Sequence, residues 1–323
     1  MSKADRLRGW GTLIGLIVII AFFAVQLPGT FLTASNLLNI SQQIAMLAVA
    51  AFTMTIVMVM TDFDLSVGSM ASLSGIVAAV LFTHDWPLWA GVAAALGVGL
   101  LGGLMNGLLV AYVGILPFVA TLGTLTIFSG TAFLISDGKS IFGRDIPAAF
   151  GAFARTGLPL DGVGLTGLVL PTLTLVAVVV LFLVWVLLEH TSFGRRLYAI
   201  GGNPQAAWLA GLDVRALRLS AFALTGLGAA IAGLMYASRV ASANPTQGAG
   251  LMLDAIAAVF LGMTMGRQGE PHVMATLVGV LILGILDNGL TQMQVDSYVR
   301  EILIGAMIVA AVAVSTLGRR DRR

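Results

Sequence analysis

Apolar positions in this chain fall in long uninterrupted runs, not in the period-2 alternation of strands. A membrane-crossing helix needs about 20 mainly apolar residues. Ten segments approach that length: 9–27, 36–60, 68–83, 87–112, 117–136, 168–189, 215–239, 253–266, 272–291 and 299–317. The segment 253–266 is short for a full crossing. The first segment is read as a retained span. Its apolar run is too long for a cleavable leader, and no small-x-small site follows it before Pro28. The pattern predicts an all-α polytopic membrane protein, and the missing alternation argues against a β-barrel.

Composition narrows the function classes. Of 323 residues, 58% are hydrophobic and 10% charged, against roughly 25% charged in an ordinary soluble domain. With a mean hydropathy of +0.99, a soluble enzyme and a disordered regulator are excluded. The net charge of +2 implies no nucleic-acid partner. The absence of Cys removes disulfides, thiolate metal sites and Cys nucleophiles. The 39 glycines suit closely packed membrane helices.

Charge position sets orientation through the excess of basic residues in cytoplasmic loops. With both termini inside, the cytoplasmic segments hold Lys3, Arg6, Arg8, Arg195, Arg196, Arg215, Arg218, Arg267, Arg319, Arg320, Arg322 and Arg323. The outer segments hold Lys139, Arg144, Arg155, Arg239 and Arg300. Of the two long loops, 137–167 reads as an irregular or re-entrant outer cap. The inner loop, 190–214, carries a short helix over Pro204–Ala210. Asn203 is its N-cap, Pro204 its first residue and Gly211 its stop, after a tight turn at Gly201-Gly202.

An internal repeat is visible. Gly97-Val98, Leu101-Gly102, Leu104 and Asn106-Gly107-Leu108 recur 182 residues later as Gly279-Val280, Leu283-Gly284, Leu286 and Asn288-Gly289-Leu290. The first copy runs out-to-in and the second in-to-out. That predicts two inverted five-helix halves, 1–165 and 166–323, within one transmembrane domain.

Polar residues within or beside spans are the candidate functional groups. Asp62, Asp64, Ser66 and Ser69 interrupt two apolar stretches. They read either as a capped helix start, with Asp64 or Ser66 as N-cap, or as a broken helix lining a path. Asp254 is either a helix-start acid facing the dipole or a path residue. Asn106 and Asn288 are either interhelical hydrogen-bonders or path residues. Arg239 and the Arg300-Glu301 pair sit near the outer boundary and are expected to snorkel or pair. Asp137-Gly138-Lys139-Ser140 is not a phosphate-binding loop, because Phe133 stands where that motif needs Gly. His84, His190 and His272 have no metal-ligand spacing, and no Gly-x-Ser-x-Gly elbow exists. No catalytic or metal site is expected.

Four motifs carry a family resemblance: Asp64-Leu65-Ser66-Val67-Gly68-Ser69, Asn106–Ala111, Pro117–Thr124 and Phe193–Pro204. Together they resemble the membrane permeases of bacterial ABC importers for ribose, xylose, arabinose and related sugars, over nearly the whole chain. The resemblance implies the ABC importer permease fold in the inner membrane. It also implies a second permease copy, identical or different, around a central path. A cytoplasmic ATP-binding subunit carrying ATP and Mg, and a periplasmic sugar-binding protein, would complete the complex, with no cofactor in this chain. Gly201, Gly202, Asn203, Pro204, Gln205, Ala206 and Ala207 would couple to the ATPase. The solute would be a monosaccharide, a pentose, hexose or related polyol. Import of amino acids or nucleosides on the same architecture, and ion-coupled secondary transport, are the rival readings. The sequence departs from the pattern at the 261–272 turn, at Asp287 and at Gln205, where members often carry Glu.

Overall fold

The computed structural model describes residues 3–164, 166–264, 270–306 and 309. The chain opens with helices α1 (Lys3–Gln26), α2 (Ala34–Met58), α3 (Val67–Thr83), α4 (Leu88–Leu108) and α5 (Pro117–Ile135). The 137–171 segment follows, with β1 (Ile141–Phe142), α6 (Ala148–Arg155), β2 (Gly157–Pro159) and β3 (Val169–Pro171). Then come α7 (Thr172–Trp185), α8 (Ser192–Gly202), α9 (Pro204–Leu209), α10 (Val214–Val240), β4 (Ser242–Ala243), α11 (Leu251–Met263) and α12 (Val273–Gln292). Residues 297–306 are again helical. Single π-helical turns, Leu109–Val113 and Val186–His190, extend α4 and α7.

Among the described residues, six helices are long and apolar enough to cross a membrane: α2, α4, α5, α7, α10 and α12, with α4 and α7 taken to the ends of their π turns. Thr12–Gln26 of α1, α3 and α11 are apolar but shorter. At 1.5 Å per residue, a helix the length of α11 spans roughly 20 Å, against a hydrocarbon core of about 30 Å. Arg267 and the basic residues Arg319–Arg323 lie outside the described residues.

Three expectations need correction. The outer loop is not irregular: β1 pairs with β4, β2 pairs with β3, and α6 packs on α10. The inner loop holds two helices, α8 and α9, rather than one. Gly201-Gly202 form the last turn of α8, not a tight turn before α9. Gly201 is needed for space, since a Cβ there would overlap the carbonyl oxygen of Val59.

Glycine governs helix packing. Lipid gives helices no hydrophobic reason to associate, so close backbone approach must supply the attraction. On α4, Gly99, Gly103 and Gly107 repeat every four residues and lie on one face. They meet Gly226, Phe222 and Leu219 of α10 backbone to backbone. In the second half, Gly262 and Gly279 bring α11 and α12 together in the same way.

The 182-residue offset maps α2 onto α10, α3 onto α11 and α4 onto α12. Contacts follow this map across the halves. α10 packs on α3 and α4, α2 packs on α11 and α12, and α2 and α10 pack on each other. Both short helices follow non-helical segments, 59–66 and 241–250. Their starts touch: Gly68 abuts the backbone of Gly248, whose N–H donates to Ser72 Oγ at 2.8 Å.

Gly103→Val should lower stability by about 1–3 kcal/mol through overpacking, read as a lower melting temperature in detergent. Gly97→Val is the control, because a Cβ at Gly97 meets open space. Equal melting temperatures for the two variants would contradict the packing account.

Candidate functional site

The α2–α3 connection, α4 and α5 enclose one buried polar cluster. Asp64 Oδ1 accepts from the Ser66 backbone N–H at 2.9 Å and from the Ser66 hydroxyl at 2.6 Å. This is the local side-chain-to-backbone turn that Asp readily makes. Ser66 stands at the N-cap position of α3, but its side chain makes no capping bond. Asn106 Nδ2 donates to Ser66 Oγ at 2.8 Å and to Asp64 Oδ1 at 3.3 Å. Its Oδ1 accepts from the Thr124 hydroxyl of α5 at 2.7 Å. Asp64 and Asn106 are each 1% exposed. Every member has a partner, as a buried polar group requires. Ser69 donates back to the Ser66 carbonyl.

Asn288, the repeat partner of Asn106, builds a second cluster on α12. It accepts from Asn36 at 3.2 Å and Gln292 at 2.9 Å, and donates to Gln43 at 3.4 Å. Gln43 also donates to Asp287 at 2.7 Å, and Arg300 pairs with Asp287 at 2.6 Å. Asp254 is half-buried in the first turn of α11.

The helix pair α8–α9 forms a third feature. Asn203 Oδ1 accepts from Ala206 N at 3.0 Å, Pro204 is the first residue of α9, and Gly211 takes φ +83. Gln205 and Ala206 are exposed, Ala207 is buried, and Trp208 and Leu209 are 66% and 72% exposed. Thr191 caps α8 by accepting from Gly194 N. Tyr198 of α8 donates to Glu189 and to the Pro271 carbonyl, both at 3.1 Å. His272 Nε2 lies 3.2 Å from the same Glu189 oxygen. Burial, then the Glu189 charge, pushes the Tyr198 hydroxyl above its ordinary pKa.

Asp62, in the α2–α3 connection, meets Arg218 of α10 at 2.9 Å. Burial outweighs the guanidinium here and raises the Asp62 carboxyl to about 6.

The structure thus gathers Asp64, Ser66, Ser69 and Asn106 into one cluster. Asp62 turns instead to Arg218 of α10, while Asn288 lies on α12 and Asp254 on α11. Sequence reading missed Thr124, Gln43, Asn36 and Arg218. Thr124 lay within the Pro117–Thr124 motif, and a Thr midway along a span was the available signal. The hydrogen bonds of the two asparagine clusters tie elements together: the first joins the α2–α3 connection, α4 and α5, and the second joins α2 and α12. Among the described residues, no group of three or more His, Asp or Glu side chains could hold a metal ion.

Comparison with known proteins matches residues 36–312 to the family described as branched-chain amino acid transport system / permease component. The chain is 38% identical over 305 residues to the ribose import permease protein of Escherichia coli strain K12, covering 94% of this chain and 92% of that protein. It is 35% identical over 309 residues to the fructose import permease protein of Rhizobium meliloti, covering 94% and 83%. Against the xylose transport system permease protein of Escherichia coli strain K12 it is 32% identical over 371 residues, covering 98% and 94%. No solved structure gave a significant match.

Asn106→Ala removes a donor from Asp64 and an acceptor from Thr124, and should cost about 1–3 kcal/mol. Asn106→Asp should cost more, by setting a second carboxyl against Asp64. Thermal unfolding in detergent ranks the two. Asn106→Asp matching wild type would contradict the cluster's role.

Proposed function

The chain belongs to the permease-component family of branched-chain amino acid transport systems, and on that premise we propose that it is the transmembrane subunit of an ATP-driven monosaccharide importer. The observation that carries the substrate class is near-full-length similarity to permeases named for ribose, fructose and xylose. The family's own description supports a second reading, an amino-acid solute on the same architecture.

In this reading the chain is a multi-pass inner-membrane protein with ten spans and both termini cytoplasmic. The inverted halves 1–165 and 166–323 form one domain. The cross-packing of α2 on α11–α12 and of α10 on α3–α4 supports that arrangement. A second permease copy completes the central path. Asp62, Asp64, Ser66, Ser69, Asn106 and Asn288 shape the helices around that path, because most of their polar atoms are already spent on internal partners, and Asp254 joins them at the start of α11.

ATP and Mg act on a separate cytoplasmic subunit, which receives the exposed Trp208-Leu209 end of α9. Gly201, Gly202, Asn203, Pro204, Gln205, Ala206 and Ala207 hold that helix in place. ATP closes the ATPase domains, the α8–α9 pair moves as a rigid unit, and the dimer opens to a docked periplasmic binding protein. Hydrolysis reverses the movement. Selectivity resides in the binding protein, so the permease needs no tight solute pocket.

Proteoliposomes holding the permease, its ATPase and its binding protein provide the test. Labelled pentose or hexose should enter only with ATP inside the ATPase-facing compartment. Uptake of leucine instead would favour the second reading, and uptake under an ion gradient without the ATPase would overturn the importer reading. Orientation is tested with single cysteines at Ala148 and Gln205, both exposed. An impermeant reagent should label the first from outside and the second only from inside. Labelling of both from one side would contradict the ten-span topology.

A further inference from the structure

We propose that the Asp62–Arg218 ion pair is a positioning element that carries movement of the cytoplasmic helix pair to the buried cluster around Asp64. The proposal rests on the importer reading above. Four anchors fall within the Val59–Asp64 stretch, each to a different element. The Val59 carbonyl lies directly under Gly201 of α8, where no side chain fits. Asp62 meets Arg218 of α10 through two guanidinium nitrogens, Nε at 2.9 Å and the Nη2 donor at 3.3 Å. The Phe63 carbonyl accepts from Thr121 of α5 at 3.4 Å. Asp64 holds Asn106 of α4.

The backbone at this point is strained. Thr61 takes φ +64, a left-handed conformation that is an outlier for a β-branched residue and persists only where its surroundings over-determine it. The two neighbouring anchors, on α8 and α10, supply that determination. Arg218 also stands one turn into α10, whose N-cap Asp213 is joined to α9 through Ala210, Gly211 and Leu212. The stretch is therefore gripped from the cytoplasmic side twice, through α8 and through α10. On its far side it grips α4 and α5.

The ion pair is a poor device for stability alone. Desolvating two charges roughly cancels their attraction, so a well-packed apolar pair would serve as well. A guanidinium–carboxylate ion pair with one hydrogen bond, from Nη2 to Oδ1, instead holds the two elements at a set distance. That geometry suits a link that must transmit a displacement without slack. A displaced α8 would push the Val59 carbonyl, turn the Thr61 hinge about the Asp62–Arg218 anchor and shift Asp64 against Asn106.

The experiment uses the complete complex in proteoliposomes and records solute uptake and ATP hydrolysis together. Asp62→Asn and Arg218→Gln should lower uptake per ATP by about 5- to 150-fold, the usual range of coupling between sites, while hydrolysis stays near wild type. Arg218→Lys, which keeps the charge but loses the guanidinium, should fall between. Exchanging the charges, Asp62→Arg with Arg218→Asp, should recover part of the lost ratio. If the Asn variant does not assemble, Arg218→Lys carries the test. Wild-type uptake per ATP in the single variants would overturn the proposal. So would uptake and hydrolysis falling in proportion, or an exchanged pair with no recovery. A wild-type complex without ATP-driven uptake would instead overturn the importer reading on which the proposal rests.

Discussion

The structure depends on backbone contact between α4 and α10. In a lipid surrounding, apolar side chains gain nothing by leaving lipid for protein, so association must come from packing at close range. Gly99, Gly103 and Gly107 remove side chains from one face of α4, and Gly226 does the same on α10. Two helices from opposite halves then meet along their main chains. The related contacts of α2 with α11 and α12 extend the scheme to the second half. Helices from the two ends of the chain are thus packed into one another.

The same environment makes polar groups expensive unless they are paired, and that explains the two asparagine clusters. Asn106 is fully enclosed and uses both ends of its amide, donating to Asp64 and Ser66 and accepting from Thr124. Asn288 sits in a wetter cluster with Gln43, Asn36 and Gln292. One repeated Asn-Gly therefore serves different neighbours in the two halves. Non-helical backbone at the start of α3 is tolerated because most of it is buried in protein, whereas the segment before α11 leaves Thr246, Ala249 and Gly250 exposed. Polar groups of the two segments find partners in Asp64, Ser72 and the β1–β4 pair.

Much of this was legible from sequence wherever the cause is local. Asn203, Pro204 and Gly211 mark the bounds of α9 because capping and left-handed stops act within a few residues. Long apolar runs mark helices for the same reason, and nine of the ten segments carry one within the described residues, with the tenth entered at 297–306. What escaped is set by contacts distant in the chain. Nothing in the sequence pairs Asn106 with Thr124 or Asp62 with Arg218. Gly201 read as a turn residue because its need for space under Val59 exists only in the folded chain. The outer segment read as irregular because strands as short as β1 and β4 have no periodic signature, and each exists only through its partner. Among the described residues six helices are long enough to cross, against ten spans read from hydropathy; α3 and α11 are apolar but shorter, each preceded by an unwound segment.

Function follows from a rigid unit and a movable one. In the proposed importer the α4–α10 contact is the fixed frame, and the α8–α9 pair, with Trp208 and Leu209 exposed, is the movable unit offered to the ATPase. Pulsed spin-label distances in the assembled complex test this division most directly. One pair of labels, at Leu101 and Ser220, reports on the frame; the other, at Leu101 and Gln205, reports on the projecting helix, and all three sites are exposed. The account predicts that a non-hydrolysable ATP analogue shifts the second distance and leaves the first unchanged. A shift in the first, or no shift in the second, would contradict it.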